Sequence, residues 1–373
     1  MNLRIAIVAD GPPTEKFTNS GVARGITVAL SMRDDIRVVS ASSTRPSGSA
    51  RLLLALMTFR LSRRKWWEQF NFGRLGLRLR SASRDRVAGT EDTTDCILQV
   101  RNLYRPARLP YFVFIDATYA MSLSNWSGWS FGRKLTRQRL AAERLQFAEA
   151  QHVFTAGESA RLSVIDDYHV PSNRVTAVGG GINLVPLPTE SEVLRFTSER
   201  AATANILFVG TDWERKGGDV LLSAFRAVKR AVPHATLTIV GPDVAIPPEN
   251  GVRSLGRIRD DAVMRALYEE ASVFCLPARF EPYGLVIPEA LSYGLPIVST
   301  NIGAIPDMVD DGIEGRLVRP DDAEELAAAL SAVLVNADGR RNMGLAAYDR
   351  SLTMSWDAVA ASIAEVMKRT LAK

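Results

Sequence analysis

The sequence predicts two successive α/β units, each a mostly parallel sheet with helices on both faces. Three observations lead there. Short apolar strands alternate with helix-length segments, a Gly/Pro-rich stretch interrupts the pattern midway, and the pattern then restarts. The 373 residues suffice for two domains of ordinary size. An apolar fraction of 46% and a charged fraction of 23% exclude disordered, collagen-like and disulfide-scaffold chains.

Residues 4–9 form an apolar strand that runs into the loop Asp10-Gly11-Pro12-Pro13, and a helix follows over 21–32. A strand at 36–40 comes next and, after a basic stretch, short strands at 96–100 and 111–115. A helix at 137–150, a strand at 152–156, a helix at 158–167 and a strand at 175–178 complete the first unit. Gly179-Gly180-Gly181 and residues 183–192, with Pro186 and Pro188, read as the connection. The second unit opens with a strand at 205–209 ending in Gly210, a helix at 218–231 and a strand at 236–240. A helix at 260–270, strands at 272–276 and 296–299, and a helix at 322–335 continue it. Val359, Ile363, Val366 and Met367 mark one face of a last helix over 356–370. The expected domains are 1–184 and 185–352, followed by a helical segment at 353–373.

Two doubly wound domains create a crevice at the carboxyl ends of their sheets, where a ligand is expected. A hydride-transfer enzyme is disfavoured, because no G-x-G-x-x-G follows the first strand; there is also no Walker A lysine motif. Cys96 and Cys275 form no CxxC or zinc-type cluster and fit a reducing compartment, a single disulfide remaining open. The three histidines, His152, His169 and His234, suggest packing or surface roles rather than a triad or metal set. The first apolar run, 5–9, is too short for a signal peptide, and no run reaches the length of a spanning helix. The expectation is a soluble or peripheral protein.

The most informative stretch is PARFEPYGLVIPEALSYGLPIVST, residues 277–300. A strand meets a loop, and Glu281-Pro282-Tyr283-Gly284 introduces a helix that contains Glu289. Gly284 allows a tight turn close to a ligand, and the amides of Leu285 and Val286 head the helix, where a phosphate is stabilised. The two oxygens of Glu289 can accept from a vicinal diol such as a ribose, and Glu281 reaches another part of the same ligand. A glutamate that merely favours the helix dipole is the alternative for either one. A second stretch, FVGTDWERKGGDVLLSAF at 208–225, places Arg215 and Lys216 before a helix start, where cations oppose the dipole unless an anion joins them. Solvated loop charges are the other reading.

Residues 281–330, EPYGLVIPEALSYGLPIVSTNIGAIPDMVDDGIEGRLVRPDDAEELAAAL, resemble the signature of the retaining glycosyltransferases of family 4, with Glu281-x7-Glu289 as the E-x7-E pair. TAGESARLSVIDDYHVPSNRV at 155–175, VGGGINLVPLP at 178–188 and RSLGRIRDD at 253–261 resemble further family segments, and SGVARGITVAL at 20–30 resembles a first-domain segment more weakly. The resemblance implies the GT-B fold, two Rossmann-like domains facing each other across a cleft, with the terminal helix crossing back to the first domain. It implies that Arg215 and Lys216 bind a donor diphosphate, Glu289 the ribose, Glu281 the transferred sugar, and the backbone near Ile258 the base. Gly210, at the end of its strand, and the 301–304 loop with Gly303 would lie along the donor, and Gly21 would allow close approach from the first domain.

Three departures from the family pattern stand out. Thr211 follows the strand-ending glycine where most members have arginine, and the loop up to Lys216 is shorter than usual. Asp116, in FIDATYA, stands where many members have histidine, and Gly157 replaces a family serine. Asp116 becomes a candidate for sugar or acceptor hydroxyls, with helix capping as the alternative. The implied reaction moves a hexose from a UDP- or GDP-linked sugar to a glycan or lipid-linked hydroxyl with retention, in lipopolysaccharide or exopolysaccharide synthesis. With no D-x-D, fixed cations rather than a metal would meet the diphosphate charge, and no other cofactor is expected. A phosphorylase of similar fold, and a catalytically weak or inactive GT-B scaffold, are the rival readings.

The net charge of +5 arises from 46 Lys and Arg against 41 Asp and Glu. It is local: residues 51–86 hold ten basic and two acidic residues, so that segment carries +8 and the rest −3. A nucleic-acid partner is therefore not expected. RLLLALMTFRLSRRKWWEQFNF interleaves leucines with Arg60, Arg63, Arg64 and Lys65 before Trp66 and Trp67. It predicts an amphipathic helix on an anionic membrane, or capture of a lipid-linked or acidic acceptor; a core helix with a solvated basic turn is the alternative. The expected location is cytoplasmic, peripheral on the inner face of the plasma membrane.

Overall fold

A computed structural model describes residues 2–372 except Phe17, Asn102 and Asp243; Met1 and Lys373, at the ends of the expected domains, lie outside the described residues. The chain divides into two units, Met1–Gly181 with Trp356–Lys373, and Ile182–Ser355.

The first unit runs β1 (Leu3–Ala9), α1 (Val22–Ser31), β2 (Ile36–Ser43), α2 (Gly48–Met57), α3 (Arg63–Phe72), α4 (Arg74–Ala88), β3 (Cys96–Val100) and β4 (Tyr111–Ile115). It continues with α5 (Tyr119–Asn125), α6 (Arg133–Glu149), β5 (His152–Thr155), α7 (Glu158–Asp166) and β6 (Val175–Ala177). Its six strands are parallel in the order β2-β1-β3-β4-β5-β6. β3 and β4 are buried along their whole length, as strands covered on both faces must be, so they read as unbroken apolar runs rather than alternation. Buried Gln99 is the exception in β3, and its side-chain carbonyl accepts from Gln146 of α6 at 3.3 Å.

The second unit runs α8 (Glu190–Glu199), β7 (Asn205–Val209), α9 (Gly218–Ala231), β8 (Thr236–Val240), β9 (Val252–Ser254), α10 (Asp261–Glu270) and β10 (Val273–Leu276). It ends with α11 (Val286–Ser292), β11 (Ile297–Thr300), β12 (Gly315–Val318), α12 (Ala323–Val335) and α13 (Ala337–Ser351). Its strand order, β12-β11-β10-β7-β8-β9, reverses between β7 and β10, the position at which open α/β sheets bind ligands. The chain then returns to the first unit as α14 (Trp356–Leu371), which packs on α1 and buries Val359, Ile363, Val366 and Met367.

Several elements depart from expectation, each for a physical reason. The connection is shorter than residues 183–192, because α8 starts at Glu190 behind a capping box in which Thr189 and Glu192 satisfy each other's backbone amides. β9 and β12 are edge strands of three and four residues, too short for a period to register. α13 lacks a clear apolar stripe because it buries Arg340, which donates to the carbonyls of Leu334, Arg200 and Ala201. Arg200 itself donates to Tyr268 and Glu269 at the end of α10 and to Tyr293 after α11, meeting helix carbonyls that would otherwise lack partners.

The basic segment is not one amphipathic helix. α2 buries only Leu54 and exposes Leu52, Leu53, Leu56 and Met57. The chain breaks at residues 58–62, and α3 restarts at Arg63, where the Ser62 hydroxyl accepts from the Lys65 amide. Part of the positive charge is structural: Arg80 and Arg84 turn inward from α4, and Arg84 donates to the carbonyls of Arg105 and Pro106.

Candidate active site

The loops after β7 and β10 meet where the second sheet reverses its order. After β7, Gly210 donates to the Val240 carbonyl at 2.8 Å and lets the next loop fold back over it. A Cβ at position 210 would lie 2.3 Å from Cδ of Lys216, so the absence of a side chain is what gives the lysine stem its path. Lys216 then sets its Nζ 3.2 Å from Oε2 of Glu281. Arg215 reaches the same oxygen at 3.4 Å, donates to the Phe280 carbonyl at 2.6 Å and pairs with Asp212 at 3.1 Å.

All three charged residues are about nine-tenths buried, with 9% of Arg215, 9% of Lys216 and 7% of Glu281 exposed. Burial works against ionisation of Glu281, but Lys216 and Arg215 outweigh it and hold the carboxyl below its ordinary value. Two desolvated cations thus share one buried carboxylate. Such a cluster adds little to stability by itself, since desolvation offsets most of the Coulomb gain. It is suited to an anion that gives the cations further oxygens.

The β10 loop is held from several sides. The Ser299 and Thr300 hydroxyls of β11 donate to the carbonyls of Leu276 and Ala278, at 2.6 and 2.7 Å. Gly303, at φ 56°, lies so close that a Cβ would sit 2.0 Å from the Glu281 carbonyl oxygen. Arg279 donates its amide to the Arg215 carbonyl at 2.8 Å and pairs with Asp219 and Asp321 at 2.7 and 2.6 Å. Arg279 thereby ties the two loops together. Sequence reasoning missed it because its acidic partners are 60 and 42 residues away.

Gly284 takes the left-handed conformation, φ 89°, ahead of α11, and Leu285 and Val286 occupy the cap and first helical positions. Glu289 lies in the first turn, half-buried, and accepts from the Tyr268 hydroxyl at 3.1 Å. Burial, with Glu289 adding to it, pushes the Tyr268 phenol well up. Tyr268 is a second residue that the sequence did not single out. Ile258 sits half-buried in the loop after β9.

In the first unit, Gly21 caps α1 at φ 85°. Asp116 follows β4 and is ion-paired with Arg101. The capping alternative for Asp116 is not realised, because the Thr118 hydroxyl accepts from the Met121 amide at 3.0 Å and caps α5. Gly157 heads α7 without a side-chain cap. His152 is buried in β5 with Nε2 2.8 Å from the Thr176 hydroxyl, while His169 and His234 are exposed. Cys96 and Cys275 are both buried free thiols, which answers the disulfide question.

This architecture is the GT-B fold of glycosyltransferases. A sucrose-phosphate synthase from Thermosynechococcus elongatus superposes with a TM-score of 0.72 at 17% identity, over 100% of both chains. Anabaena HepE, in complex with UDP and glucose, superposes with a TM-score of 0.67 at 18% identity, over 99% of this chain and 100% of that one. Residues 203–336 match the family model described as Glycosyl transferases group 1. A glycogen synthase of Mycobacterium tuberculosis is 29% identical over 264 residues, 68% of this chain and 62% of the relative. A phosphatidyl-myo-inositol mannosyltransferase of Mycolicibacterium smegmatis is 33% identical over 170 residues, 43% of this chain and 44% of that protein. The chain thus spans about three-fifths of the first of these relatives and less than half of the second.

Proposed function

We propose that the chain is a retaining glycosyltransferase that moves a hexose from a UDP- or GDP-linked sugar to a hydroxyl of a glycan or lipid-linked acceptor, in cell-envelope or polysaccharide synthesis. The observation that carries this reading is the convergence of Lys216 and Arg215 on Glu281 at the switch point of a sheet inside the family segment. Breaking the anomeric bond leaves negative charge on the departing diphosphate. Lys216 and Arg215 are prepaid, buried cations that meet that charge without reorganisation, so they favour the transition state over the ground state. Glu281, kept ionised between them, has acceptor oxygens for the hydroxyls of the transferred sugar, and Glu289 has them for the ribose. Fixed cations serve here in place of a divalent metal.

The exposed apolar residues of α2, together with Phe59 and Leu61 and the exposed cations Arg60, Arg63 and Lys65, support peripheral attachment to an anionic membrane surface on the acceptor side. Two measurements test the reading. Thermal shift and transfer assays with UDP- and GDP-sugars should give a clear response to one nucleotide and loss of turnover in Glu281→Ala and Lys216→Ala; unchanged turnover in both variants would sink the assignment. Co-sedimentation with anionic vesicles should weaken when Arg63, Arg64 and Lys65 are neutralised together, and unchanged binding would remove the membrane from the account.

A further inference from the structure

A cavity of about 460 Å³ opens in the first unit at the carboxyl ends of β1, β3 and β4, where Asp10, Arg101 and Asp116 stand. This is the first sheet's own switch point, because its order reverses between β1 and β3. The charges on its wall pair off: Arg64 with Glu68 at 3.1 Å, Arg101 with Asp116, and Asp10 with Arg45 at 3.4 Å. Arg139 of α6 is the exception. Its guanidinium is clamped by aromatic rings, 4.4 Å from the centroid of Phe72, 4.3 Å from Tyr119 and 5.5 Å from Phe131. Among the described residues it forms no ion pair, and its buried Nε has no hydrogen-bond partner.

The neighbour that could neutralise it, Glu143 one turn along α6, is engaged elsewhere. Glu143 accepts from the Tyr119 amide at 2.9 Å and from the Tyr168 hydroxyl. Burial pushes the Glu143 carboxyl up, against the pull of Arg139. Ring faces satisfy a guanidinium only from above and below; its N–H groups lie in the plane and need acceptors at the edge. An arginine packed among aromatic rings whose N–H edge lacks a partner, lining a cavity, is set for a planar or bidentate oxyanion. Trp67 and Trp129, both partly exposed, line the same cavity and offer flat apolar surface for a ring attached to that anion.

We propose that this cavity binds a monoanionic acceptor, whose carboxylate or phosphodiester oxygens dock edge-on against Arg139 while the attached ring lies against Trp67 and Trp129. The proposal rests on the glycosyl-transfer reading and names the acceptor class within it. One uncompensated cation matches one negative charge, so neutral glycans are the poorer ligands.

The test is calorimetric titration of the full chain with UDP held saturating, so that the Arg215–Lys216 cluster is occupied and does not capture the probes. The probes are methyl glucuronide, the ring-bearing phosphodiester glycerophosphoinositol, and neutral methyl glucoside. At least one anionic probe should bind tenfold or more tightly than the glucoside; the better of the two tells an acidic sugar from a phosphodiester headgroup. Arg139→Gln should lose that preference, and Arg139→Lys should keep part of it and report on the site if the glutamine variant folds poorly. Equal binding of all three probes, no binding of any, or an unchanged preference in a folded Arg139→Gln would overturn the proposal. Titration of UDP alone separates the two ideas: UDP binding with no anion preference removes the acceptor site and leaves the donor reading standing, whereas anion preference without UDP binding does the reverse.

Discussion

The Nζ of Lys216 stands 3.2 Å from Oε2 of Glu281, and each residue is more than nine-tenths buried. A buried pair in this geometry is asymmetric toward mutation. Lys216→Ala removes a cation proposed to meet the donor diphosphate, and on that reading UDP affinity should fall at least tenfold, about 1.4 kcal/mol. Glu281→Gln leaves two buried cations without their shared carboxylate, and unfolding free energy should fall by about 3 kcal/mol. In that variant UDP affinity should be kept or improved while turnover drops, because the nucleotide phosphates replace the missing charge. Calorimetry and denaturant titration on both variants check this. Equal loss of UDP binding in the two would assign the cluster to structure alone.

Gly210→Ala separates the lysine's placement from its charge. The added methyl would lie 2.3 Å from Lys216 Cδ, a flexible stem that can move aside, and 3.2 Å from Phe208 Cζ. Stability should therefore change by only about 1 kcal/mol. If Lys216 meets the diphosphate as proposed, UDP affinity should fall nearly as far as in Lys216→Ala, because the ammonium is displaced. Wild-type affinity in Gly210→Ala would show that the path of the lysine stem is not selective.

What could be read from the chain followed how local each signal was. β3, β4, β7 and β10 announced themselves as apolar runs because sheets covered on both faces need them. Glu281, Gly284, Arg215 and Lys216 could be picked out because each lies within a few residues of a strand end or helix start. Arg279, Tyr268 and Arg139 could not, since their meaning lies in partners far along the chain: Asp219 and Asp321, Glu289, and the rings of Phe72, Tyr119 and Phe131. The basic stretch at 51–86 was only partly legible for a related reason. Composition counts Arg80 and Arg84 as surface charge, whereas packing turns both inward.

His152 makes the first unit sensitive to acid. Burial in β5, with lesser contributions from Arg369 and Arg174, lowers its value from 6.5 to about 4. The unfolded chain therefore binds a proton that the folded chain refuses between those two values. Stability from this residue is complete above pH 6.5 and is lost as pH falls toward 4. Urea midpoints measured from pH 7 to pH 4 should decline in the wild type and decline less steeply in His152→Gln. Parallel curves would assign the acid sensitivity to the carboxylates instead.

Trp356 and Gly25 offer the sharpest test of how α14 belongs to the first unit. Gly25 lies within α1, and a Cβ there would fall 2.2 Å from Cε2 of the Trp356 ring. Gly181 makes a similar allowance, its ideal Cβ 2.4 Å from the Trp356 backbone nitrogen. Trp356→Ala should cost about 2 kcal/mol, less than the roughly 3–5 kcal/mol of a fully buried large aromatic because this side chain is only half-buried. Gly25→Ala alone should also destabilise, because the methyl and the ring cannot share the space. Once the ring is gone, the same methyl fills the vacated volume and replaces a helix-interior glycine, a change worth about 0.5–1 kcal/mol in the stabilising direction. Gly25→Ala should therefore reverse sign in the Trp356→Ala background, a coupling that denaturant midpoints of the four proteins measure directly. Additive losses would mean that the ring does not rest on α1 and that α14 is held by its apolar face and the 2.6 Å Lys368–Asp35 pair alone.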